Sequence, residues 1–137
     1  LTEASGLVAE RVGGSRSWEL VYQSRSGPPH VPWLEPDVSG RLPELAAEGA
    51  TDVVLVPIGF VSDHVEVQYD LDVTAAATAA DAGLNLVRAA TVGAHPRFVA
   101  MIRDLVLERT DPDAPRLALG SGPVHDRCAP DCCRPSP

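Results

Sequence analysis

The run DVVLVPIGF, residues 52–60, is apolar, glycine or proline at every position after Asp52. It has neither the alternation of a strand with one wet face nor the three-to-four spacing of a surface helix. It predicts a strand covered on both faces, and such strands belong to parallel sheets. A parallel sheet needs crossover connections, usually helices. The rest of the chain supplies them. EASGLVAERV, residues 3–12, reads as a weak helix closed by Gly13 and Gly14. WELVYQ, 18–23, reads as a strand, and SRSGPPHVPWLEPDVSG, 24–40, as a long loop rich in proline and glycine. RLPELAAEGA, 41–50, predicts a short helix with Pro43 near its start. Residues 62–80 follow as a helix with Ser62 as N-cap, stopped by Gly83. LNLVRAA, 84–90, is a third strand. After Pro96, well placed in a first turn, Phe98, Ile102, Leu105, Val106 and Arg109 fall at helical spacing. The alternation predicts an α/β domain over residues 1–110, a parallel sheet flanked by helices, followed by a Pro/Gly-rich tail over 111–137.

The chain's 137 residues suffice for one domain of ordinary size. A net charge of −8 argues against a nucleic-acid partner. All 11 basic residues are arginine. No apolar window approaches the length of a membrane helix, and nothing reads as a signal peptide, so a cytoplasmic protein with no integral membrane segment is expected. The first residue is Leu1, not methionine, which suggests a fragment or a processed chain. The 3 cysteines all fall in the last ten residues, a pattern that favours metal or redox use over a disulfide framework.

Directly after the apolar run come Asp63, His64, Glu66, Asp70 and Asp72. In open α/β sheets, ligands bind beyond the carboxyl ends of the strands. On a helix, Asp63, Glu66 and Asp70 would form one stripe, with His64 beside it. Stacked carboxylates repel unless a cation or protons compensate. Oxygen ligands with an imidazole suit a divalent first-row metal or a proton relay. A solvated acidic face near a helix N-terminus reads the same residues equally well.

The order GFVSDHVEVQYDLD resembles the signature of the ferrochelatases, enzymes that insert ferrous iron into a porphyrin. WELVYQSRSGPPHVPWLEPDV resembles a second segment of that family, with Gln23-Ser24-Arg25, Gly27 and Pro32-Trp33-Leu34. HPRFVAMIRDLVLER resembles the family's closing helix, so the likeness runs from residue 1 to about 110. It implies a fold of two Rossmann-like lobes with the porphyrin in the cleft between them. This chain would be the C-terminal lobe, incomplete without an N-terminal lobe that carries the family's metal-site histidine.

Carried over by the resemblance, Glu66 faces the metal site, binding ferrous iron as substrate or accepting pyrrole protons. His64 and Asp63 would hold Glu66, and Asp70 would follow along the helix. Thr74 stands where the family usually has a further carboxylate. Trp33 would line the porphyrin pocket or else anchor the core beneath its loop. Gln23 and Ser24 would contact substrate. Iron enters a porphyrin only after two pyrrole protons leave, so a carboxylate beside the ring and others leading to water suit the chemistry. The tail motif CAPDCCRP, with Cys128, Cys132 and Cys133, resembles the cysteine cluster that helps bind a 2Fe–2S cluster in actinobacterial-type enzymes, with a fourth ligand upstream of Leu1. The alternative is a tail with free thiols. By resemblance the porphyrin is coproporphyrin III, with protoporphyrin IX open, and the isolated fragment is expected to be inactive. Two other readings remain: a chelatase loading cobalt or another metal into a different tetrapyrrole, and a non-catalytic iron–sulfur or tetrapyrrole-binding module.

Overall fold

The computed structural model describes residues 1–13, 15–123, 125 and 127–132. In chain order they form α1 (Thr2–Gly13), α2 (Val38–Ala47), β1 (Asp52–Leu55), α3 (Val65–Val67), a π-helical segment (Gln68–Ala75), α4 (Ala76–Asp81), β2 (Asn85–Arg88) and α5 (Pro96–Thr110). The chain divides into a first unit, Leu1–Phe98, and a second from Val99 onward. The second unit holds most of α5 and then, from residue 111, neither helix nor strand among the described residues. The α/β expectation holds. β1 and β2 pair in parallel, Asp52 opposite Asn85 through Leu55 opposite Arg88.

The helix boundaries have local causes. Asp37 caps α2: its carboxylate accepts from the Ser39 and Gly40 N–H groups at 2.9 and 3.1 Å. The helix therefore starts three residues before Arg41, where the sequence predicted it. Pro43 sits inside it and has no N–H to donate to the Ser39 carbonyl four residues back. At the far end Gly49, at φ 97°, lets the Ala50 N–H reach the Leu45 carbonyl at 2.9 Å. The same device closes α4: Gly83, at φ 75°, lets the Leu84 N–H reach the Ala79 carbonyl at 2.8 Å. The stop predicted at Gly83 is confirmed.

β1 ends sooner than the apolar run. Val56 and Pro57 turn the chain, with the Ile58 N–H donating to Val56 O at 2.8 Å and the Phe60 N–H to Pro57 O at 3.1 Å. Nor is the strand covered on both faces. Val53, Leu55 and Leu86 pack on the core, while Val54 is 68% exposed and Val87 54%. The apolar outer face is written in the sequence, but no described residue of the chain buries it. WELVYQ forms no strand either; only Tyr22 bridges, in parallel, to Asp37. Strand propensity needs a neighbouring edge to pair with, and this segment meets one only at Tyr22.

The core comprises Val38 and Leu42 of α2, Val67, Leu71, Ala75 and Ala79 of the long helix, and Leu84. The helix contributes every fourth residue. In a regular α-helix of about 3.6 residues per turn, a four-residue repeat drifts around the axis. The i→i+5 turns of Gln68–Ala75 take more residues per turn and cancel that drift. The widened segment thus keeps one apolar line against α2. It also keeps a second line, Glu66, Asp70 and Thr74, one residue behind the first.

Candidate functional site

The site starts where β1 stops. The chain passes from Leu55 through the turns at Val56–Phe60 to the N-terminus of the long helix, at the carboxyl end of the parallel pair. Ser62 does not cap this helix. His64 does: its Nδ1 accepts the Val67 N–H at 3.5 Å, and its ring meets the Phe60 ring edge-on with centroids 5.1 Å apart. Gln68 Nε2 closes the same turn on the Asp63 carbonyl at 2.9 Å.

The predicted stripe of Asp63, Glu66 and Asp70 is divided. Asp63 precedes the helix, and its carboxylate turns to Arg88 Nη1 at 2.7 Å. Asp72 takes the other side of the same guanidinium, accepting from Nε at 2.7 Å and Nη2 at 2.6 Å. The side-on pairing with Arg88 holds the Asp72 carboxyl below the usual carboxylate range. Glu66 is exposed and makes no hydrogen bond or ion pair with any described residue. His64 and Asp63 therefore do not hold Glu66 by direct contact. They fix the helix start from which it projects.

Asp70 is half-buried and tied to a distant segment. The Ser24 hydroxyl donates to Asp70 Oδ2 across 46 residues of sequence, and Gln23 Nε2 donates to the Ser24 hydroxyl at 3.2 Å. Ser24 lies at φ 57°, a left-handed conformation uncommon outside glycine, which turns its side chain to this partner. The structure thus joins three predicted residues, Gln23, Ser24 and Asp70, in one hydrogen-bonded chain. The loop that follows is closed at its base by Tyr22, whose N–H donates to Pro36 O at 2.9 Å and whose carbonyl accepts from Val38 N–H at 2.8 Å. Arg25 ties its interior, donating to the Pro29 and Val31 carbonyls at 3.0 and 2.7 Å. Trp33 stands on this loop at 40% exposure, so it is not a core anchor.

In the tail, Cys128 and Cys132 are exposed, with no disulfide between them, and the Cys132 N–H closes a turn on Ala129 O at 3.0 Å. Cys133 lies outside the described residues. Among the described residues no three His, Cys, Asp or Glu side chains come together as a metal site. Arg88, which gathers Asp63 and Asp72, was not anticipated from the sequence. Its only signal there was a lone cation closing an apolar strand.

A parallel α/β lobe has an acidic helix leaving its strand ends, braced by a loop from elsewhere in the chain; that is the place where open sheets generally bind ligands. Residues 1–110 match the sequence profile of the ferrochelatases, and the chain belongs to that family. It is 62% identical to a coproporphyrin III ferrochelatase of Frankia alni over 98% of this chain and 35% of the relative. It is 56% identical to one of Streptomyces griseus over 92% of this chain, and 49% identical to a ferrochelatase of Rhodopirellula baltica over 100%. The chain spans 35% to 39% of the length of these curated relatives. No helix among the described residues is long and apolar enough to cross a membrane.

Proposed function

We propose that this chain is the C-terminal lobe of an enzyme that inserts ferrous iron into coproporphyrin III. Glu66 takes a proton from a pyrrole nitrogen as the iron enters, and Asp70 passes it toward solvent. Two pyrrole N–H bonds break, the iron forms bonds to all four ring nitrogens, and two protons leave. The observation that carries the reading is the line from exposed Glu66 to half-buried Asp70, with Asp70 braced by Ser24. One carboxylate is open to a ligand, and the next is held so that it can hand a proton on. Trp33, exposed on its tied loop, supplies an aromatic face for the macrocycle. The names of the relatives support coproporphyrin III as the porphyrin. The cleft's other wall comes from an N-terminal lobe outside this sequence, and the protein works in the cytoplasm.

Cys128, Cys132 and Cys133 contribute to a 2Fe–2S cluster completed by a thiolate outside this chain. Two exposed thiols flanking one turn support this part of the reading. Iron and acid-labile sulfide in anaerobically purified full-length protein test it, and Cys128→Ser should remove both.

The central test is Glu66→Gln in the full-length enzyme. It keeps the shape and removes the charge and the basicity. Turnover should fall by about two orders of magnitude or more, with porphyrin binding retained. A Glu66→Gln enzyme that keeps most of its turnover would remove Glu66 from the mechanism. Residues 1–137 alone should not insert iron into coproporphyrin, and near-complete activity from them would overturn the half-site reading.

A further inference from the structure

Arg88 ends β2 at the edge of the acidic helix, with its side chain only 17% exposed. All three of its guanidinium nitrogens are engaged. Nε and Nη2 take the two oxygens of Asp72, while Nη1 takes Asp63 and, at 3.3 Å, the Ala89 carbonyl. Asp63 lies just before the helix and Asp72 within its π-helical segment. Glu66 and Asp70 fall between them. The one side chain therefore grips the carboxylate-bearing stretch on both sides and ties it to the end of the sheet. We infer that Arg88 is a positioning residue for iron insertion: its clamp on Asp63 and Asp72 sets where Glu66 and Asp70 stand relative to the strand ends. The inference rests on the proposed roles of those two carboxylates.

The geometry requires a planar fork. A lysine ammonium is a single point of charge and cannot hold a two-oxygen grip on Asp72 while also reaching Asp63. Without the guanidinium, Asp63 and Asp72 would stand beside Glu66 and Asp70 with no cation between them. Repulsion would then open the turn that His64 and Gln68 close. A carboxylate displaced by about an ångström from a reacting centre loses on the order of 10- to 100-fold in rate.

The test uses the full-length enzyme with Arg88→Lys, Asp72→Asn and Glu66→Gln side by side. Coproporphyrin titration counts competent sites, and turnover is expressed per bound porphyrin, so that loss of folded protein does not mimic loss of rate. Arg88→Lys should bind porphyrin at unchanged stoichiometry and affinity within about threefold, while turnover per bound porphyrin falls about tenfold or more. Asp72→Asn keeps one acceptor and loses the two-oxygen grip, so its loss should be smaller, severalfold. Turnover within twofold of wild type in both clamp variants, with Glu66→Gln inactive, would overturn the positioning role and leave the function standing. A Glu66→Gln enzyme that stays active would instead remove the reading on which the clamp depends.

Discussion

Arg41 and Arg88 are equally shielded, each 17% exposed at the side chain, and each is surrounded by carboxylates. Arg41 bonds to Glu48 at 2.7 and 3.1 Å, to Glu44 at 3.1 Å and to Glu19 at 2.8 Å. Two of those partners sit on or at the end of its own helix, so local structure already brings them near. Arg88 is different. Its partners come from the helix entry and the π-helical segment, neither of which its own strand would place there. The side chains differ as well. The glutamates around Arg41 are 40–64% exposed on long stems, whereas Asp63 and Asp72 are 33% and 38% exposed on short ones. A long exposed glutamate can be lost or replaced by water at little cost. A short aspartate joined to a shared fork transmits position. On the inference above, an arginine network shapes a site when all of its carboxylate partners lie outside its own element; Arg41 draws only Glu19 from outside.

The contrast implies a graded set of outcomes in the full-length enzyme. The widest gap should separate Arg88→Ala from Arg41→Ala. Turnover per bound porphyrin should drop at least about tenfold in the first and stay within about twofold in the second. Equal losses in a steady-state assay would erase the distinction.

Ser24→Ala comes next. It removes the hydroxyl that braces Asp70 and leaves a non-glycine residue at positive φ, so the main change is the lost hydrogen bond. Turnover should fall severalfold, by less than in Glu66→Gln, because Asp70 keeps its charge. Ser24→Gly would relax the backbone as well and should give no further loss. A Ser24→Ala enzyme as slow as Glu66→Gln would mean that Ser24 itself meets the substrate.

The smallest effect concerns acid. Pairing with Arg88 lowers the Asp72 pKa, and pairing with Arg41 lowers that of Glu48. A depressed folded-state pKa contributes stability that is present above the unfolded value, about 4, and lost as pH falls through the folded one. Both networks should therefore contribute fully and without pH dependence between pH 5 and 8 and weaken below pH 4. Thermal midpoints followed down the pH scale should converge for Arg88→Lys and wild type at the acid end. A difference that grows on acidification would reverse the sign of the linkage.

Much of the fold was legible because it depends on short-range chemistry. Gly83 announced a helix stop, and Pro96 did begin α5. The start of the run, Asp52–Leu55, does form a parallel strand, though a shorter one than the run and with one face exposed. The misplaced features depend on partners far away in sequence. Ser62 and His64 are both able to cap, and the choice fell to His64, whose ring also packs on Phe60. Asp63 looked like the head of a carboxylate stripe until Arg88, 25 residues on, took its side chain. WELVYQ had the composition of a strand and lacked an edge to pair with.

By itself the sequence determined that Glu66 and Asp70 would follow a strand and share a helix, because a four-residue spacing and an apolar run are properties of the chain alone. Only the tertiary structure decided that Glu66 stands open, that Asp70 is held by Ser24, and that Asp63 and Asp72 are spent on Arg88. Those outcomes turn on which polar groups meet across a fold, and a hydrogen bond of about 3 Å is blind to the sequence distance that it spans.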